Sequence, residues 1–171
     1  GEKTFMAYVE PDVTTFYNGD PPSSTKVVPK FTGLAGKFIN MSNKRLDFYW
    51  ESSKGGPSHI MKHYDPFSAG GTGTFPGHRF FFTLEGDENK TRLKEFLVRD
   101  YPNNIHVYDP YHVEGDVEQT KKNLEQLTDD ERRQYDQLTK TMFFHVQYQK
   151  FTGRSYLVNY LRDPPKHFMW R

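Results

Sequence analysis

KRLDFYWESSKGGPSHIMKHYDPFSAGGTGTFPGHRFFFTL, residues 44 to 84, is the stretch on which the reading of the fold turns. Leu46, Phe48 and Trp50 alternate with Asp47, Tyr49 and Glu51, the period of two expected of a strand with one face buried and the other wet. His78, Phe80, Phe82 and Leu84 repeat the pattern after an interval. Between the two lie Gly55-Gly56-Pro57, Asp65-Pro66 and Gly70-Gly71-Thr72-Gly73. These break regular structure, because glycine reaches positive φ while proline fixes φ and lacks an N–H. The spacing predicts a rigid pair of strands presenting a loop rich in glycine, histidine and rings.

Working outward, β-branched and aromatic residues from Thr4 to Val9 and from Val13 to Tyr17 predict two short strands. Lys26 to Phe31 holds Pro29, which cannot donate to a ladder and so marks an edge strand. Gly36 to Met41, Leu93 to Val98 and Ile105 to Tyr108 add further strands. Many short strands separated by Gly, Pro and Asn turns predict a mainly β chain, an antiparallel β-sandwich of immunoglobulin-like topology, over residues 1–113.

The character changes after Asp109-Pro110, and residues 114–171 read as a C-terminal helical extension packed on the sandwich. Val117, Lys121 and Leu124 start a short exposed helix. Thr128-Asp129-Asp130-Glu131 then forms a capping box, in which the Thr hydroxyl accepts from the Glu amide and the carboxylate reaches back. Tyr135, Leu138, Met142 and Val146, at steps of three and four, predict a helix of about six turns that ends near Gly153.

Composition narrows the function classes. A net charge of +1 over 171 residues, without a basic run, gives no reason to expect nucleic acid. No apolar run approaches the roughly 18 residues that a membrane span needs, so no membrane partner is expected. Aromatics make up 16 % of the chain, including 15 Phe and 11 Tyr, so the core must be built largely on rings. There is no cysteine, which removes disulfides, thiolate metal sites and a Cys nucleophile. Two Asn-x-Ser/Thr sequons, at Asn40 and Asn89, would accept glycans in a secreted protein and tilt the reading toward the secretory pathway. The apolar end at Phe168-Met169-Trp170-Arg171 reads as that of a piece of a longer protein.

The ordered series from Asn40 to Phe80 resembles the β domain of the von Hippel-Lindau family. An Asn-x-Ser (Asn40 to Ser42) precedes the first strand, Trp50 ends it, and a Gly-Thr-Gly (Gly71 to Gly73) and a Gly-His-x-aromatic (Gly77, His78, Phe80) follow. The match covers about a quarter of the chain. It implies a pocket for hydroxyproline, in which an apolar ring lies among aromatic side chains and its hydroxyl bonds to polar partners. Carried over position by position, His78 and Thr74 are the hydroxyl partners, Phe80 the floor and Trp50 the closing wall. Tyr64 is the nearest candidate for a tyrosine that belongs between the strands. One added hydroxyl is discriminated only where buried polar partners would otherwise go unpaired. The implied partner is a proline- or hydroxyproline-containing peptide, with no cofactor. Such a module could sit beside a prolyl hydroxylase in one polypeptide. In the same family a helical box with Leu and Cys binds a ubiquitin-ligase adaptor. This chain has no Cys, and Leu138, Met142 and Val146 are a loose echo, so no adaptor is expected.

A rival reading is enzymatic. His63-Tyr64-Asp65 supplies the His-x-Asp of an Fe(II) facial triad used by 2-oxoglutarate oxygenases, with His112 as third ligand. His and Asp two apart share a face only on a strand, and Asp65 precedes Pro66, where a turn is favoured.

Overall fold

The computed structural model describes residues 34–52, 54–99 and 104–152. The strands expected in residues 4–31 and the helix stop at Gly153 lie outside the described residues. Within them, seven strands precede two helices: β1 Leu34–Asn40, β2 Leu46–Glu51, β3 His59–Tyr64, β4 Ser68–Thr74, β5 Arg79–Leu84, β6 Lys94–Leu97, β7 Ile105–Tyr108, α1 Val117–Leu124 and α2 Asp129–Thr152. The described part is mostly β, as read, and the change to helix falls between Tyr108 and Val117. The strands form two open sheets, of order β4-β1-β7 and β3-β2-β5-β6.

Two expectations are corrected. The stretch between β2 and β5, expected as a loop, contains β3 and β4. Its glycines did not prevent a strand, because β4 takes its order from the ladder to β1, in which Gly70, Gly71 and Gly73 stand opposite Phe38, Lys37 and Ala35. A Cβ at Gly70 would lie 2.5 Å from Lys62 Nζ and 2.8 Å from the Tyr64 hydroxyl, so a side chain there would have to push those two side-chain ends aside. The second correction concerns β7, which joins β1 parallel, with Lys37 opposite Ile105. A parallel neighbour cannot come from a tight hairpin. The chain reaches β7 from β6, at the far edge of the other sheet, and arrives running the same way as β1. Asn104, fully buried, fixes the entry: Lys37 N–H donates to its carbonyl at 2.9 Å, and its side-chain amide donates to the Ala35 carbonyl at 2.6 Å.

Alternation along β1 separates two cores. Phe38 points to a cluster made of Leu46, Phe48, Tyr64, Phe80, Phe82, Phe96 and Val98. Its ring lies 4.7 Å from Phe48 and 4.9 Å from Phe80, so side chains of the two sheets meet directly. Ile39 faces the opposite way, into a cluster with Tyr111, Leu124, Leu127, Tyr135 and Leu138, where the helices cover the three-stranded sheet.

The capping box forms as expected. Thr128 Oγ1 accepts from Glu131 N–H at 3.1 Å, and Glu131 Oε1 accepts from Thr128 N–H at 3.0 Å. Two acids in the following turn, Asp129 and Asp130, suit the positive end of the helix. The Tyr135 hydroxyl donates to Asp109 at 2.6 Å and ties α2 to the segment after β7. Burial and that carboxylate push the Tyr135 hydroxyl well above its ordinary range. No helix among the described residues is long and apolar enough to cross a membrane.

Candidate functional site

Of the five residues that the resemblance singles out, the fold brings Trp50, Thr74 and His78 together and sends two elsewhere. Trp50 is near the end of β2, Thr74 ends β4, and His78 precedes β5. The turn Phe75-Pro76-Gly77-His78 closes with His78 N–H donating to the Phe75 carbonyl at 3.2 Å. Proline second and glycine third, with Gly77 at φ +95°, make a turn that few side chains tolerate at the third place. Gly77 N–H and Val98 N–H then bond to the Val98 and His78 carbonyls, each at 2.9 Å, which anchors the turn to the chain after β6. His78 is thereby held by backbone rather than by packing alone.

The imidazole lies 6.2 Å from the Trp50 ring, and its Nδ1 is 3.1 Å from Thr74 Oγ1. Phe75, exposed, meets the same imidazole edge-on at 5.8 Å, and His59 stacks near Trp50 at 6.4 Å. Beside them is a hollow of about 360 Å³ lined by Trp50, Glu51, Ser52, Gly77, His78 and Arg79. That volume falls in the roughly 300–1,000 Å³ range of small-ligand pockets.

Thr74 is only 1 % exposed and its hydroxyl is engaged with His78. It orients the imidazole and does not meet a ligand beside it, as the sequence reading had it. Tyr64, 2 % exposed, and Phe80, 3 % exposed, belong to the aromatic core. Phe80 lies opposite Trp50 in the β2–β5 ladder and stacks on Phe48 at 5.1 Å, so it supports the wall from within. Tyr64 is displaced because β3, read as loop, pairs with β2 and sets it opposite Leu46. Sequence reasoning missed Glu51, Arg79, Phe75 and His59. Glu51 and Arg79 could have been found, since they fall opposite each other once Trp50 is paired with Phe80.

The residues of the oxygenase reading do not converge. His63 Nδ1 lies 2.5 Å from Asp47 Oδ1, whereas the Asp65 carboxylate pairs with Arg45 at 3.0 Å and His112 lies 3.5 Å from Glu114. Strand β3 ends at Tyr64, and Phe67, at φ +51°, belongs to the turn that follows, so Asp65 leaves the face that His63 occupies. Among the described residues the one group of three potential metal ligands is Asp47, His63 and Glu85. The Asn40 sequon is also corrected. Asn40 is fully buried, its amide donating to the Lys44 carbonyl at 2.8 Å and the Asp65 carbonyl at 3.0 Å, and its oxygen accepts from Ser42. A glycan there would undo these bonds. Asn89 is exposed in the turn after β5.

A larger hollow of about 660 Å³ lies between β7 and α2, lined by residues including Met41, Val107, Asp109, His112 and Met142. Its central acid is already used: Asp109 accepts from the Tyr111 and His112 amides and from the Tyr135 hydroxyl. That bonding makes it a joint between helix and sheet, so the smaller hollow is the better candidate.

No protein-family model matches the chain, and no curated protein matches it either.

Gly77→Ala is expected to cost about 1–2 kcal/mol, the usual penalty for a side chain in left-handed backbone. Urea unfolding would read that loss, and a shift of the His78 ring resonances would report the displaced imidazole. Wild-type stability with unmoved resonances would mean that the turn accommodates a side chain.

Proposed function

We propose that this chain is a β-sandwich module of the von Hippel-Lindau β-domain type that reads a proline- or hydroxyproline-containing segment in the hollow between Trp50 and His78. Two sheets whose inner rings touch, followed by helices, agree with that architecture. The observation that carries the reading is the meeting of Trp50, Thr74 and His78 beside an open hollow.

The chemistry follows from the bonding. A pyrrolidine ring is an apolar disc, and the Trp50 indole lining the hollow offers it aromatic surface. When the Thr74 hydroxyl donates to His78 Nδ1, the ring proton resides on Nε2, which can donate to a ligand hydroxyl. A proline without that hydroxyl leaves the donor unpaired, and the difference is the basis of discrimination. In a longer polypeptide such a module would hold a substrate segment beside a prolyl hydroxylase.

Titration of paired peptides, one hydroxyprolyl and one prolyl, tests this. The hydroxyprolyl peptide is expected to bind about tenfold tighter or more, as one net hydrogen bond allows. His78→Ala should erase the preference, and Thr74→Val should reduce it by loosening the imidazole. Equal affinity for both peptides, or an unchanged preference in His78→Ala, would refute the hydroxyproline reading.

A further inference from the structure

At the other end of the four-stranded sheet, three donors from three chain segments meet. Asp47 on β2 faces His63 on β3 as its ladder partner, and Glu85 follows β5. One ligand atom from each lies within 4.8 Å of the others. Asp47 is nearly buried, and its second oxygen is locked by the Gly86 N–H at 3.0 Å, so its first oxygen is aimed at His63 Nδ1 in advance. The Glu85 carboxylate comes to 4.0 Å of the same nitrogen.

We propose that Asp47, His63 and Glu85 bind a first-row divalent transition-metal ion, with Zn2+ the foremost candidate. The donor set decides the class. One imidazole and two carboxylates suit borderline ions, whereas Ca2+ wants six to eight oxygens and Mg2+ prefers oxygen and water. Ligand bonds of about 2.1 Å in a tetrahedral shell need donors about 3.4 Å apart, so Asp47 and His63, now 2.5 Å apart, must separate and Glu85, now 4.0 Å from His63, must come closer. Glu85 and the imidazole, both partly exposed, can move to allow it. The ion takes the place of the proton that now links His63 Nδ1 to Asp47, the imidazole carrying its proton on Nε2 instead by exchange with solvent, and a water fills the remaining coordination position. It would join edge strand β3 to β2 and to the chain after β5.

Arg45 is the internal competitor. Its guanidinium pairs with both Glu85 and Asp65, and Glu85 must exchange that partner for the metal. Removing the cation should therefore strengthen metal binding, a result that a purely structural ion-pair cluster does not produce.

The experiment is calorimetric titration of chelator-stripped protein with zinc chloride. One ion per chain is expected, with affinity weakened at least tenfold in His63→Ala and strengthened in Arg45→Gln. His63 is a partly exposed edge residue, so His63→Ala should fold, and its circular dichroism spectrum checks that it does. Absence of saturable binding at millimolar zinc, undiminished binding in folded His63→Ala, or weaker binding in Arg45→Gln would each overturn the proposal.

Discussion

Phe48→Ala is expected to remove about 3–5 kcal/mol of stability, the cost of truncating a fully enclosed ring together with the cavity it leaves. Phe48 is wholly buried, and four rings surround it: Phe38 at 4.7 Å, Phe80 at 5.1 Å, Tyr64 and Phe82 at 5.3 Å. These come from β1, β5 and β3, so the ring bridges the two sheets and three neighbouring strands at once. Rings are stiff and cannot close over the space that alanine would leave. Since small domains are stable by only about 5–15 kcal/mol, such a loss removes about a fifth of the total or more. Urea unfolding followed by circular dichroism measures the loss. Phe48→Leu, which keeps most of the volume, should lose about 1–1.5 kcal/mol. A loss below that from the alanine variant would mean that the ring cluster can collapse.

Acidification should be nearly as damaging. His106 stacks on Phe38 at 5.0 Å and lies 5.5 Å from Phe96, and its Nε2 finds no hydrogen-bond partner among the described residues. Burial pushes its pKa down to about 4. His145, on the sheet-facing side of α2, is pushed down to about 3 by burial and by the nearby Lys37. A histidine depressed in this way stays neutral in the fold while the unfolded chain takes up a proton. Its contribution is complete above about pH 6.5 and is withdrawn as pH falls toward the folded value. By about pH 4.5 each should have withdrawn about 2–3 kcal/mol. Urea midpoints at neutral pH and at about pH 4.5 read the combined loss, and His106→Phe should keep its share. A midpoint that does not move between the two would contradict the buried neutral state. Lys37 acts in a different window. Burial and Lys62 lower its pKa to about 7, so stability should climb between about pH 7 and pH 10.5, where only the unfolded chain remains protonated.

Among the described residues, five of the seven strands and both helices were legible because their signals are local. The apolar spacing of β2 and β5 and the Thr128–Glu131 box require no knowledge of the rest of the chain, but the expected wet face is corrected: Asp47, Tyr49, Phe81 and Thr83 are buried too, while Leu84 is exposed. Strands β3 and β4 were not legible, for two separate reasons. A register shift opposite Phe48 and Tyr49 disturbs the alternation of β3 and leaves both Ile60 and Met61 48 % exposed. Strand β4, SAGGTGT, has almost no side chains to pattern, and only its partner in the ladder makes it a strand. The site followed the same division. His78, Thr74 and Trp50 depend on a short turn and a strand end, both readable. Tyr64 depends on the β2–β3 register, and Phe80 on which face of β5 turns inward beside Trp50. The grouping of His63 with Asp47 and Glu85 follows from strand pairing across distant segments, so no spacing along the chain announces it.

Because β1 is the central strand of its sheet, flanked by β4 and β7, its two edges are completed at very different times as the chain leaves the ribosome. The β4 edge can pair once Thr74 has emerged, but the other must wait for Ile105 to Tyr108. Until then a ribbon of unsatisfied amides and carbonyls is open to neighbouring nascent chains. Lys37, within that ribbon, would discourage such pairing while still hydrated, and later bears the desolvation that burial imposes.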